Sequence, residues 1–361
     1  GVTNLGDHIL LFPAPEGFDL PFDMFSAVFY LISRYEEYLP YGPDQYGRFE
    51  AGQSLAFRHH FLEEPIVDQW IEMFKSVLTG KYPELHFPAR EFRFISTFDV
   101  DRPWAYLHKG IWRTFGGLVR DVVRLNVNGL RIRLRVLRGS IPDPYDTYAY
   151  IRQIELRYGF RSILFFLSGN YGRFDDNYSL GNRHFSMLLD NLKSERTIGI
   201  HPSFASNFNA GLKKHEFARF SGLLGKRPEI SRQHFLMLKF PYTYRELIEQ
   251  GIREDFSMGY ASRAGFRAGT CTPFRYYDLP REQETDLMVY PFAFMDVTLQ
   301  QYLSLSPEEA LDHVRDIIDK IKKVHGTCIS LWHNESLSEQ GRWKGWRRVF
   351  EEMVKRVTSD E

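Results

Sequence analysis

Two aspartates, Asp99 and Asp101, close the apolar run Ser96-Thr97-Phe98-Asp99-Val100-Asp101 with one residue between them. Strand side chains alternate with period two, so both carboxylates would leave one face, and at a strand end they could converge on one point. Each alone could equally cap a turn or a helix. Four further apolar runs also end on polar side chains: His201 in GIHPS, Arg267 in FRAGTCTPF, Asp296 in FAFMDVTL and His333 in ISLWHN. Hydrolysis of an amide or ester needs a nucleophilic water, a Lewis acid for the developing oxyanion and an acid to protonate the leaving group. Asp101 and His201 would hold a divalent metal with positions left open, and Asp99 would take the proton of the water. Taken singly, His201 before Pro202 also reads as a turn residue, Arg267 as an ion-pair partner and Asp296 as a helix cap.

The elements that must position these residues follow from periodicity. Amphipathic patterns predict helices over 22–39 and 65–78, the second opened by Pro65, with the Gly- and Pro-containing loop PYGPDQYGRFEAG between them. From about residue 91 onward, strand-like runs at 92–98, 162–167, 197–201, 229–236, 257–260, 265–270, 287–294 and 327–332 alternate with helical patterns. One such helix, over 307–324, carries a Ser306 cap, early acids and late lysines. The alternation predicts an α/β fold with a parallel sheet or an irregular (β/α) barrel, whose active site would sit at the carboxyl ends of the strands. Residues 1–90 are expected to form a small α+β accessory domain and residues 91–361 the barrel-like domain.

Asp99-Val100-Asp101, His201, Arg267, Asp296 and His333 resemble, in order, the five motifs of the polysaccharide deacetylases (carbohydrate esterase family 4, the NodB-homology group). The likeness covers about residues 91–335. Residues 1–90 look like the accessory region that precedes the deacetylase domain in some bacterial members. The resemblance implies metal-dependent removal of N-acetyl, or less readily O-acetyl, groups from a bacterial saccharide or its precursor. By the same resemblance, Arg267 orients Asp99, His333 is the general acid, Asp296 tunes His333, and the metal is zinc, with cobalt, manganese or nickel as alternatives. The family pattern has a second histidine four residues after the first, but position 205 is Ala205. His234, in SRQHFLML, is the nearest substitute ligand, or else a hydrogen-bonded core histidine. If no third ligand is supplied, the alternative is a degenerate glycan-binding protein. Related barrels also process non-sugar C–N bonds, which leaves a hydrolase of that kind open.

Lys+Arg and Asp+Glu both number 46, so no global charge points to nucleic acid. The two cysteines, Cys271 and Cys328, cannot build a disulfide framework and read as thiols of a reducing compartment or simply as buried thiols, and the expected location is cytoplasmic, with membrane association as the alternative. No apolar run is long enough to span a membrane and no signal-peptide pattern is visible. One local feature stands outside the five motifs, a basic insertion at about 106–140. Between Lys109 and Arg138 there are eight Lys or Arg residues and one acid, Asp121, interleaved with apolar side chains. Such a segment lies on an anionic membrane or grips phosphate, near a lipid-linked or phosphorylated sugar precursor, or it packs its apolar side on the barrel and leaves its basic face solvated.

Overall fold

The computed structural model describes residues 1–5 and 8–359. An antiparallel hairpin, β1 (Val2–Leu5) and β2 (His8–Leu11), opens the chain. Helix α1 (Met24–Ile32) starts at Asp23, whose carboxylate accepts from the Ser26 N–H at 3.1 Å. The single long helix expected over 22–39 is broken at Arg34, which takes a left-handed conformation (φ 56°), and Tyr35–Tyr38 forms a separate 3-10 turn. The break brings Glu36 and Glu37 onto the buried Arg34 guanidinium at 2.8 and 2.9 Å. Helix α2 (Leu55–Arg58) and helix α3 (Ile66–Lys81), the latter capped at Pro65, complete this region. Its core includes Leu11, Phe22, Leu31, Phe61 and Trp70, joined by Tyr260 from far along the chain.

The remainder alternates as expected. It runs β3 (Arg93–Val100), α4 (Ile111–Val123), α5 (Val127–Leu137), α6 (Tyr148–Tyr158), β4 (Ile163–Leu167), α7 (Arg183–Lys193), β5 (Ile198–His201), α8 (Ala210–Leu224) and β6 (Ile230–Ser231). It continues through α9 (Tyr242–Glu249), β7 (Glu254–Asp255), β8 (Phe274–Asp278), β9 (Gln283–Val289), β10 (Phe294–Met295), α10 (Pro307–Lys323), β11 (Thr327–His333) and α11 (Trp346–Thr358). The strands form one mixed α/β sheet in the order β10-β11-β3-β4-β5-β6-β7-β9-β8, parallel throughout except for the β8–β9 pair. Among the described residues no pairing joins β10 to β8, so the expected barrel is present as an open sheet. Ser306 and Glu309 form a reciprocal capping box on α10, as its sequence predicts. No helix among the described residues is long and apolar enough to cross a membrane.

Period-two alternation divides the sheet into two faces. Phe98, Leu164, Phe166, Ile200 and Trp332 pack against the helices. Phe165, Ile329 and Leu331 fill the opposite face with Leu236, Phe256 and Phe292. Because His333 pairs with Asp99 and Asp99 with Phe165, this second face is the one that ends in the polar residues. Position 199 is glycine for a steric reason, since a Cβ there would lie 2.4 Å from the Phe165 ring.

Two expected strands are absent. Residues 265–272 are drawn onto the N-terminal elements instead, with the Phe266 N–H donating to Leu62 O at 2.7 Å and the Val67 N–H to Gly269 O at 2.9 Å. The Asp68 carboxylate accepts from Thr270 Oγ1 and the Cys271 N–H. Residues 257–260 likewise form no strand. Only Ile230–Ser231 of the run 229–236 is a strand, because Phe235 and Leu236 (φ 61° and 55°) turn the chain back across the sheet end.

Candidate metal centre

The buried strand β3 carries Thr97 and Asp99 on one face, and Asp101 follows just past its end. His201 closes β5 and His333 closes β11. His234 lies in the turn after β6. Asp99, Asp101, His201, His234 and His333 border one cavity of about 500 Å³.

Ligand atoms of Asp101, His201 and His234 lie within 4.8 Å of one another. The His201 Nε2 is 3.4 Å from Asp101 Oδ1, and the His234 Nε2 is 3.5 Å from Asp101 Oδ2. Both rings are anchored through the other nitrogen: His201 Nδ1 donates to the Arg232 carbonyl at 2.5 Å, and His234 Nδ1 donates to Asp175 at 2.8 Å. This leaves each Nε2 aimed at the cavity, the usual arrangement for metal-ligating imidazoles. Asp101 Oδ1 is buried without a hydrogen-bond partner among the described residues. An orphaned carboxylate oxygen between two anchored imidazoles fits a divalent cation, and a set of one carboxylate and two imidazoles with room beside it suits a catalytic site. Burial opposes charge on His234, but Asp101 and Asp175 push its pKa up to about 9. Burial likewise opposes the charge on Asp101, yet His234 and His201 hold its carboxyl well below the usual range.

Asp99 sits on one side of this cluster, its Oδ2 3.7 Å from His201 Nε2. Arg232, fully buried, donates Nη1 to Asp99 Oδ1 and Nη2 to Thr97 Oγ1, each at 2.8 Å, and Nε to Phe256 O. Its guanidinium also lies over the Phe165 ring, 4.5 Å from the centroid. On the other side, Asp296 accepts from the His333 backbone N–H at 2.7 Å and from its Nδ1 at 2.8 Å. The His333 Nε2 is therefore directed toward Asp101, 3.9 Å away. Burial disfavours its charge, but Asp296, Asp101 and Asp99 push the His333 pKa to about 10, so it holds a proton across the neutral range.

Arg267 does not orient Asp99. It donates Nε and Nη2 to Glu37, at 2.9 and 2.6 Å, and Nη1 to Gly259 O. The cause is the path of residues 265–272 onto the N-terminal elements, which carries Arg267 to the 3-10 turn bearing Glu37. The orienting cation is Arg232, two residues before His234 and overlooked in the sequence because SRQHF reads as an ordinary strand. Also missed was the N-terminal loop, whose Gln45, Tyr46 and Arg48 form a wall of the cavity. Tyr46 lies there edge-on to Phe235, with ring centroids 5.0 Å apart, and an aromatic at a loop tip was the only signal. Cys271 is a buried thiol whose pKa burial and Asp68 push far up, which removes it as a nucleophile.

Glu37 is the counter-ion of two buried guanidiniums, Arg34 and Arg267. Burial alone would raise its pKa, but Arg267 and Arg34 hold it low. Glu37→Ala will strand Arg267, while Arg34 keeps Glu36, and lower stability by about 3–5 kcal/mol, read from the denaturant midpoint. Metal content at saturating cation will be unchanged, and a loss of metal would mean that this pair belongs to the site.

In fold comparisons the chain is similar to a structure from Mycobacterium smegmatis assigned in name to the polysaccharide deacetylases, with TM-score 0.48 and 11% identity over 77% of this chain and 87% of that one. It is also similar to a probable polysaccharide deacetylase of Pseudomonas aeruginosa PAO1 (TM-score 0.46, 10% identity, 74% and 84% covered) and to Puue allantoinase (TM-score 0.46, 12% identity, 74% and 86% covered). No curated protein sequence matches the chain. Residues 2–83 match the model of DUF7033, a family of unknown function.

Proposed function

We propose that the protein is a divalent-metal-dependent hydrolase of the polysaccharide deacetylase type, removing N-acetyl or, less readily, O-acetyl groups from a bacterial saccharide or its precursor. The observation that carries this reading is the convergence of Asp101, His201 and His234, flanked by the pair Asp99–Arg232 on one side and His333–Asp296 on the other. A cation held there, zinc by its donor set or else cobalt, manganese or nickel, would polarise the acyl oxygen and acidify water. Asp99 accepts the proton of the water, and Arg232 fixes the carboxylate that receives it. His333 delivers its Nε2 proton to the departing amine while Asp296 holds the ring through Nδ1. Residues 1–90, read as an accessory unit to the larger domain, supply the wall of Gln45, Tyr46 and Arg48 on the substrate side. What supports a hydrolase over a degenerate glycan binder is His234, which stands in for the ligand missing at Ala205.

The test is elemental analysis of the purified protein, followed by acetate release from acetylated oligosaccharides. Near-stoichiometric divalent metal with metal-dependent acetate release is the expected result. A protein that binds none of the four cations would sink the reading. Metal binding with release of ammonia or amine from non-sugar amides, and no acetate, would replace the substrate class.

A further inference from the structure

Helix α4 turns its apolar stripe away from the protein. Ile111 (83% exposed), Trp112 (87%), Phe115 (61%), Val119, Val122 and Val123 (76%) all face solvent. At about 100° per residue these positions fall within about 120° of arc, one continuous face. Leu125 and Val127, 84% and 74% exposed, extend it across the turn into α5. The opposite side of α4 is the one that packs. Asp121 pairs there with Arg133 of α5 at 2.7 Å, and Gly117 makes room for that guanidinium, since a Cβ would lie 2.5 Å from its Nη1. The apolar side of α4 is therefore not packed on the sheet domain, whereas α5 buries Val136. An apolar face of this extent marks an interaction surface rather than an ordinary scatter of surface side chains.

The rest of the segment's exposed surface is cationic. Arg120, Arg124, Arg131, Arg135 and Arg138 are exposed and make no ion pair with any described residue, and the segment's single acid is already taken by Arg133. Two copies meeting through this face would oppose arginines to arginines, which disfavours self-association. An anionic bilayer satisfies both parts, receiving the apolar stripe at the acyl boundary and the guanidiniums at the lipid phosphates.

We propose that α4 and α5 form a docking surface for an anionic lipid bilayer. The surface is tied to the rim of the cavity. Arg113 of α4 pairs with Asp176 at 2.6 Å, Asp176 with Arg102 at 3.5 Å, and Arg102 with Glu335, which lines the cavity. Docking would hold the cavity beside the lipid surface. Resting on the hydrolase reading above, the substrate is then a saccharide carried by a lipid or lying against the membrane.

Cosedimentation of the full chain with vesicles of phosphatidylcholine and phosphatidylglycerol, against phosphatidylcholine alone, tests this. Wild type is expected to sediment with the anionic vesicles and to be released by salt. Trp112→Ser with Phe115→Ser should weaken binding by at least about tenfold, and Arg120→Gln with Arg124→Gln should weaken it and flatten the salt dependence. Neither double variant should change the melting temperature or the hydrolysis of a soluble substrate. Metal-free protein should bind equally well, so vesicle binding by a protein that takes up none of the four cations would overturn the hydrolase and leave the docking surface standing. Wild type that stays in the supernatant with both vesicles overturns the proposal, as does undiminished binding by the Trp112/Phe115 variant. A wild-type dimer that becomes monomeric in that variant assigns the face to self-association instead.

Discussion

Asp99→Asn will lower turnover by about 10²–10⁴-fold, the range expected when a positioned general base is removed. The same substitution will also cost stability, because Arg232 is fully buried and Asp99 is its only acidic hydrogen-bond partner among the described residues. Removing one partner of a buried pair costs about 3–5 kcal/mol, mostly through the charge left behind. Arg232→Met should cost a similar amount by stranding Asp99, and it should lower turnover as well by freeing the carboxylate to rotate. The double variant, Asp99→Asn with Arg232→Met, separates the two roles. Its denaturant midpoint should recover most of the loss of either single variant, because neither unpaired charge remains, while acetate release stays at the level of Asp99→Asn. Wild-type turnover in Asp99→Asn would remove Asp99 from the chemistry. Recovery of turnover together with stability in the double variant would reduce the pair to a structural one.

The pairing of Arg232 with Asp99 also marks the limit of what could be read from the chain. Asp99, Asp101, His201 and His333 were legible because each ends a local apolar run, and parallel strand ends meet whatever the detailed register. Asp296 was legible for the same reason, and it does reach His333. Arg267 was not, because a guanidinium binds whichever carboxylate the tertiary path brings near, and that path was bent toward Leu62 and Val67 by backbone hydrogen bonds without a periodic signature. The missing strand at 265–270 and the displaced arginine are one event. The break at Arg34 is similar: the apolar period continues through 22–39, and what ends the helix is a buried ion-pair cluster formed with residues more than two hundred positions away. The basic insertion was legible in composition, but the direction its apolar face takes depends on Asp121 meeting Arg133, a contact between helices. His234 could be named only as the nearest histidine to a gap. What places it is the left-handed turn at Phe235 and Leu236 together with the acceptor Asp175 from the loop after β4.

His234→Ala will lower metal affinity by at least about 100-fold and turnover with it, since one of three protein ligands is gone and the loss should exceed that from deleting an outer-shell partner. The pH dependence of binding identifies the ligand further. Cation binding requires the neutral imidazole, whereas in the metal-free protein Asp101 and Asp175 outweigh burial and hold His234 protonated up to about pH 9. Metal uptake near neutrality must then expel about one proton, and affinity should climb by about tenfold per pH unit until that pKa is passed. The sign for the metal-free protein is the reverse. A pKa raised above the unfolded value means that the stability contributed by the His234 proton is fully present below about pH 6.5, and it is lost as pH rises through about 9. Asp101, with its pKa depressed, contributes in the opposite sense, and its share is lost only in strong acid. Calorimetric titration in buffers of different ionisation enthalpy reads the expelled proton directly, and thermal unfolding of the metal-free protein across pH 6–10 reads the stability. In His234→Ala the proton release should fall away, and the loss of stability with pH should shrink to the share that the raised His333 still contributes. If the variant keeps wild-type affinity and the same proton release, the third ligand is another group, and His234 is a core histidine held by Asp175.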